Sequence, residues 1–301
     1  MLPHIPANGF CKLGIETTPG VALSPGALQS AGPCQLPQQR SGGRIQEFYS
    51  IGYWGPIHTK GGAVEETGSL RFWPEAGDSY GEYILSLGQR YAASQGNYAK
   101  GDLPSFTVMA GISEDMYTMQ WGNRIEQVRI SCREREPLQC EARWRGMGSM
   151  WTDDYTTVTP QTFTYPNDLD LYMWYEGIVI LEGTGGDTYL GTRLSSVDLT
   201  VRHQHGVTYP FGGVYYNVAR PRNPSAVRPT VGNIQGRLRT YAWLADDLDV
   251  ACLPNMGTVK LFYTSACTNR WLLITVGAGK WQWKQADSVS ERQLRTYGSE
   301  F

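Results

Sequence analysis

From Ile45 onward the chain alternates short runs of β-branched and aromatic residues with Gly, Pro, Asn and Asp. That texture predicts strands rather than helices. Ten are predicted: Ile45 to Ile51, Gly68 to Phe72, Ser105 to Ala110, Arg124 to Cys132, Gln139 to Arg145, Leu171 to Leu181, Leu194 to His203, Asn233 to Trp243, Thr258 to Thr264 and Trp271 to Val276. Val197-Asp198-Leu199-Thr200-Val201 alternates without a break, so Asp198 belongs on the wet face of a sheet whose other face is buried. Between Arg124 and Ile130 the alternation slips, because Ile125 is out of phase with Val128 and Ile130. A bulge near Glu126 restores the phase, and the facing of Glu126 depends on it. One segment departs from the strand texture: Tyr80 to Leu87 ends at Gly88 and follows Asp78, which predicts a single short helix capped by Asp78.

Residues 1–43 read differently. They are rich in Gly, Pro, Ser and Gln, carry the turn pairs Pro19-Gly20 and Pro25-Gly26, and lack periodic hydrophobicity. An extended N-terminal arm over 1–43 is expected, followed by a β domain over 44–301. Gly122 to Ser131 resembles Gly191 to Thr200, and Gly68 to Arg71 echoes Gly236 to Arg239. The offsets of 69 and 168 residues do not share one period, so any internal pseudo-repeat is partial. The 35 Gly and 17 Pro argue against a helical bundle, while 10 Trp, 18 Tyr and 8 Phe supply ample material for a core. With 26 Lys and Arg against 28 Asp and Glu, no strong non-specific attraction to nucleic acid or anionic membrane is expected. The first twenty residues show no secretory-signal pattern, and the runs Ile178 to Leu181 and Trp271 to Val276 are too short to span a bilayer.

The candidate chemistry is thin. Cys11, Cys34, Cys132, Cys140, Cys252 and Cys267 include no Cys-x-x-Cys pair, so buried free thiols are expected, although Cys132 and Cys140 could face each other across a hairpin. His203 and His205 share one face of a strand but lack a flanking carboxylate, which disfavours a metal site. Gly77-Asp78-Ser79-Tyr80-Gly81 matches a nucleophile-elbow pattern without the preceding buried strand that such a turn requires. The pairs Glu65-Glu66, Glu114-Asp115, Asp153-Asp154 and Asp246-Asp247 are sequential, and neighbours on a strand point to opposite faces, so none is a glycosidase dyad. Glu182 to Asp187 reads as a hairpin turn rather than a phosphate loop. Arg143-Trp144-Arg145, and Arg220, Arg222 and Arg228, read as surface pairing or subunit contact, because the net charge of −2 argues against a broad nucleic-acid face. Neither catalytic residue, metal nor cofactor is expected, and an enzyme is the weaker class.

The order of features carries a resemblance. An arm precedes a strand, then the polar span Gly52 to Glu66, then Gly68-Ser69-Leu70-Arg71-Phe72, then the short helix ending at Leu87-Gly88. Leu103-Pro104-Ser105-Phe106-Thr107-Val108 follows, and Tyr117 precedes Gly122 and a strand running to Ser131. This succession resembles the major tail tube proteins of long-tailed bacteriophages, most densely between Gly68 and Gly146. Pro104 to Val108 is its sharpest element: Pro104 opens a strand where no ladder N–H is needed, and Phe106 and Val108 share a face.

The resemblance implies an antiparallel β-sandwich or partial barrel that closes into a large barrel on oligomerisation. The subunit would form six-membered rings stacked into a virion tail tube, assembled in the host cytoplasm, with no enzymatic activity. Its partners would be further copies of itself, the tape measure protein, tail terminator and distal tail proteins, and DNA in transient passage, with no membrane. Six subunits giving about four lumen strands each would make roughly 24 strands and a barrel of about 50 Å diameter. Inter-ring contacts would fall on Tyr53, Trp54, Pro56 and Ile57 and on the arm, so removing Met1 to about Arg40 should leave folded subunits that polymerise poorly. Glu126 and Asp198 are the lumen-facing candidates, and acids there would let DNA slide. The alternatives are a distal tail or tail-completion ring protein, and a carbohydrate-binding or hydrolysing β-sandwich.

Overall fold

The computed structural model describes residues 10–48, 58–76, 80–113, 116–152, 170–183, 186–189, 194–210, 222–241, 256–265, 270–276, 282–285 and 296–300. Its strands are β1 (Phe10–Ile15), β2 (Gln29–Ser30), β3 (Gln38–Phe48), β4 (His58–Phe72), β5 (Phe106–Ser113), β6 (Met116–Arg133), β7 (Gln139–Gly146) and β8 (Gly148–Thr152), followed by β9 (Gly177–Gly183), β10 (Gly186–Tyr189), β11 (Leu194–Thr208), β12 (Ala226–Tyr241), β13 (Met256–Thr264), β14 (Trp271–Val276), β15 (Gln282–Gln285) and β16 (Thr296–Glu300). The helix α1 spans Tyr80–Ser86, as its sequence predicts; the expected cap, Asp78, lies outside the described residues. The ten predicted strands fall on β3 to β7, β9 and β11 to β14. The stretch from Leu171 becomes a strand only at Gly177, because Trp174–Glu176 forms a 3-10 turn.

Among the described residues every strand pairing is antiparallel, and the long strand β6 is the spine. Along one side it meets β7 and then β8; along the other its N-terminal half pairs with β5 and its C-terminal half with β11. Two wings share it. One runs β2-β1-β5-β6-β8, and the other β3-β4-β7-β6-β11-β12-β16-β15. A separate sheet, β10-β9-β13-β14, contains the hairpin expected at Glu182 to Asp187, with Asp187 opposite Glu182.

Most apolar faces converge on one large core, and Phe10, Leu28, Met109, Tyr117 and Met119 form a smaller separate cluster. Cys11, Leu13, Phe106 and Val108 from the first wing join Leu70, Phe72, Ile125, Val128, Cys140 and Trp144 from the second, Ile84 and Leu87 beside α1, and Val179, Leu261 and Tyr263 from the small sheet. The alternation read in the sequence explains this, since each strand sends every second residue inward. Cys132 and Cys140 are buried free thiols, and desolvation raises the pKa of both.

The N-terminal segment does not stand off as an arm over residues 10–43. β1 pairs with β5 from Phe10↔Gly111 to Ile15↔Phe106, and Leu13 is 1% exposed. Flanking Gly and Pro hide this six-residue strand in the sequence. Glu16, which follows it, is fully buried and accepts four hydrogen bonds: from the Gly20 N–H (2.7 Å), Ser105 Oγ (2.7 Å), Thr107 Oγ1 (2.9 Å) and the Gly122 N–H (2.8 Å). Gly122 has a φ of 65°, and a Cβ there would come within 2.7 Å of the Met147 side chain, so only glycine presents its N–H to Glu16 in this way.

Candidate functional site

Functional geometry concentrates on the outer face of the second wing. Its registers align side chains in rows across the strands: Arg40, Thr67 and Arg145 on β3, β4 and β7; Ser69, Arg143, Gln127 and Arg202 on β4, β7, β6 and β11; Arg71, Glu141, Arg129 and Thr200 on the same four strands; and Arg133 with Ser196 on β6 and β11. Among the described side chains, the outward positions of these five strands hold seven arginines and four carboxylates, the latter being Glu65, Glu126, Glu141 and Asp198.

Both lumen-facing candidates lie on this face. The β6–β7 register shifts between Ile125 and Gln127, so the extra residue is Glu126, where the slipped alternation predicts a bulge. The bulge lets Ile125, Val128 and Ile130 all point inward, while Glu126 is left outside with its carboxylate 3.5 Å from Arg145 Nη2. Asp198 accepts from two nitrogens of Arg129, with Nε at 2.9 Å. Arg143 holds Glu141 at 2.7 Å. Glu126, Glu141 and Asp198 each have an arginine beside them. Such half-exposed pairs contribute about 0–1 kcal/mol each, so their main effect is to cancel charge. Arg40, Arg71, Arg133 and Arg202 have no carboxylate within ion-pair distance among the described residues. The face therefore carries an excess of arginine over carboxylate among the described side chains, with Glu126 and Asp198 each offset by an arginine.

Part of the face is recessed. Gln38, Arg40, Ser69, Arg71, Glu141 and Arg143 line an open cleft of about 500 Å³. Trp144 forms part of its floor, pointing away from its Arg neighbours into the core, where its indole N–H donates to Gln120 Oε1 at 3.0 Å. The Arg143-Trp144-Arg145 triplet is thus a surface pair around a core residue.

At the margin of this wing β3 and β4 continue past the end of β7. β7 leaves β4 at Glu66↔Gly146, whereas β3 and β4 remain paired to Phe48↔His58. The polar span beginning at Gly52 is therefore a strand from His58 onward. The ribbon is tied at its base by Val64 N–H to the Arg222 carbonyl (2.8 Å) and Arg222 Nε to the Gly62 carbonyl (2.8 Å). Glu66, buried, accepts from Ser41, Ser149 and Asn223. Its neighbour Glu65 is exposed, as expected for adjacent residues on a strand. Tyr53, Trp54, Pro56 and Ile57 lie outside the described residues, as do Gly77 to Ser79 of the elbow-like motif and three of the four carboxylate pairs.

Among the described residues no three His, Cys, Asp or Glu side chains form a metal cluster. His203 is buried, with Nε2 2.9 Å from the Gly88 carbonyl. Burial lowers its pKa, with Arg90 adding to the effect. His205 is pushed down to about 4, first by burial and then by His203, Arg124, Arg145 and Arg90. The neutral ring is the folded form, and the unfolded chain binds the proton first as pH falls. Stability supplied by His205 is therefore complete above about pH 6.5 and lost on descending toward pH 4. The gap corresponds to about 3 kcal/mol for full burial, and about 2 kcal/mol for this half-buried ring. Urea unfolding at neutral pH and near pH 4 is expected to show that loss in the wild type, with less of it in His205→Gln.

Strand β14 carries exposed apolar side chains, with Trp271 59% and Leu273 40% exposed, and these line a cleft together with Ile234 of β12. The cleft, of about 950 Å³, lies between β14, α1 and the inner face of β6 and β11.

Compared with protein-family models and with curated proteins, the chain matches none. Sequence reasoning missed the arginines of β3, β4 and β11 as a group; their signal was alternate-position Arg on separate strands, which only strand order brings together.

Proposed function

We propose that this chain is the major tail tube subunit of a long-tailed bacteriophage, a virion structural protein whose sheets join neighbours into stacked rings of six. It would enclose the tape measure protein during assembly and conduct DNA during ejection, with terminator and distal tail proteins at the tube ends. Its role would be structural rather than catalytic. The observation that carries the reading is the β3–β4 ribbon, which runs beyond its own sheet with β3 paired only to β4 among the described residues. A strand edge of that length is a template for pairing with another chain. Exposed Trp271 and Leu273 on β14 fit a surface that a neighbour covers. The polar face of the second wing would then be the wall of the bore.

Negative-stain electron microscopy of the purified chain at high concentration tests this. Long tubes of constant diameter are expected. Isolated rings that never stack would instead mark a distal tail or completion protein. Monomers that bind glycans would point to the carbohydrate-binding alternative and overturn the tube.

A further inference from the structure

The net charge of −2 conceals a strongly asymmetric distribution. Across β3, β4, β7, β6 and β11 seven arginines face one way, and three are matched by Glu126, Glu141 and Asp198. Arg40, Arg71, Arg133 and Arg202 have no ion-pair partner among the described residues, and with Glu65 also outward on β4 the face keeps a net excess of three positive charges. Five strands at about 4.8 Å spacing are roughly 19 Å across. Over that length duplex DNA presents about eleven negative charges. Guanidinium groups hold phosphates through paired N–H donors, which lysine cannot do. The arginines stand on the sheet face itself, which does not enter a groove, so base edges stay out of their reach.

We propose that this arginine face holds the phosphate backbone of duplex DNA through salt-sensitive contacts that do not read sequence. The inference rests on the tube reading for its occupant, and it changes what the bore does: DNA is held by weak contacts that break and re-form as it moves. The arginine-paired carboxylates Glu126, Glu141 and Asp198 set the strength, since each cancels an arginine that would otherwise grip.

The test is fluorescence anisotropy of a labelled 20-base-pair duplex with the full chain, dilute enough to remain unassembled. With four phosphate contacts, affinity is expected to fall about 100-fold between about 50 and 200 mM salt. Arg71→Gln with Arg202→Gln should roughly halve the dependence of log affinity on log salt, whereas Asp198→Asn should release Arg129 and tighten binding. All three positions are solvent-accessible, so folding should survive, and circular dichroism checks it. Absence of salt-dependent binding, indifference to these substitutions, or equal affinity for poly-glutamate would overturn the proposal. Its failure is distinguishable from that of the tube: tubes without DNA binding remove only this inference, and DNA binding without tubes removes only the assembly reading.

Discussion

A chain lacking residues 1–40 is expected to lose its cooperative fold, not merely its capacity to assemble. The deletion removes β1, with Phe10, Cys11 and Leu13 buried, together with buried Leu28 and Ala31. Burying a large apolar side chain contributes about 1.5–3 kcal/mol, so Phe10, Leu13 and Leu28 alone account for roughly 5–9 kcal/mol. That is comparable with the whole stability of a typical domain, about 5–15 kcal/mol. The cut also removes the Glu16 carboxylate, leaving Ser105, Thr107 and the Gly122 N–H without their acceptor in a buried site. It also strips β5 of one of its two partners, leaving β6 alone beside it. Urea unfolding followed by circular dichroism should show no cooperative transition for the truncated chain. Glu16→Ala in the full chain isolates the polar share: orphaning its buried donors should cost about 3–5 kcal/mol, with strand content retained. A truncated chain that still melts cooperatively would restore the picture of a detached arm.

Trp144→Ala is expected to produce the largest loss of any single core truncation, about 3–5 kcal/mol from volume alone. The indole is 2% exposed, packs edge-on against Phe106 with centroids 5.8 Å apart, and lies against Gly68, where an added Cβ would sit 2.4 Å from the ring. It also satisfies Gln120 Oε1, while Gln120 Nε2 donates to the carbonyl of Thr67 at 3.2 Å and to that of Arg40 at 3.4 Å. Removing the ring leaves a buried acceptor unpaired, which adds about 1–3 kcal/mol. Because Phe106 and Trp144 belong to different wings, the cavity opens where the wings meet. Trp144→Phe should recover part of the packing but not the Gln120 bond, and so fall between wild type and alanine in the urea midpoint. Equal midpoints for the two variants would show that the ring volume contributes nothing.

Much of the strand content was legible in the sequence. Alternation is a property of neighbouring residues, so Val197 to Val201 announces both its strand and the outward Asp198. The slipped phase at Ile125 locates the bulge at Glu126 for the same reason, and the Tyr80 to Ser86 helix stands out by breaking the period. β1 was not legible, because a six-residue strand between Gly- and Pro-rich flanks is recognised only when β5 supplies its hydrogen bonds. The second half of the Gly52 to Glu66 span was hidden in the same way, since its polar residues become a strand through pairing with β3.

The sequence by itself therefore determined which segments are extended and which way many of their side chains point. Tertiary structure decided which strands lie side by side, and with that the charge of the face they make. Arg40, Arg71, Arg129, Arg143 and Arg202 span 163 positions of chain, counted from 40 to 202. Summed with every other charge they disappear into −2. Laid on five adjacent strands, most within a Debye length of the next, they act together, because electrostatic attraction depends on distance in space and net charge does not.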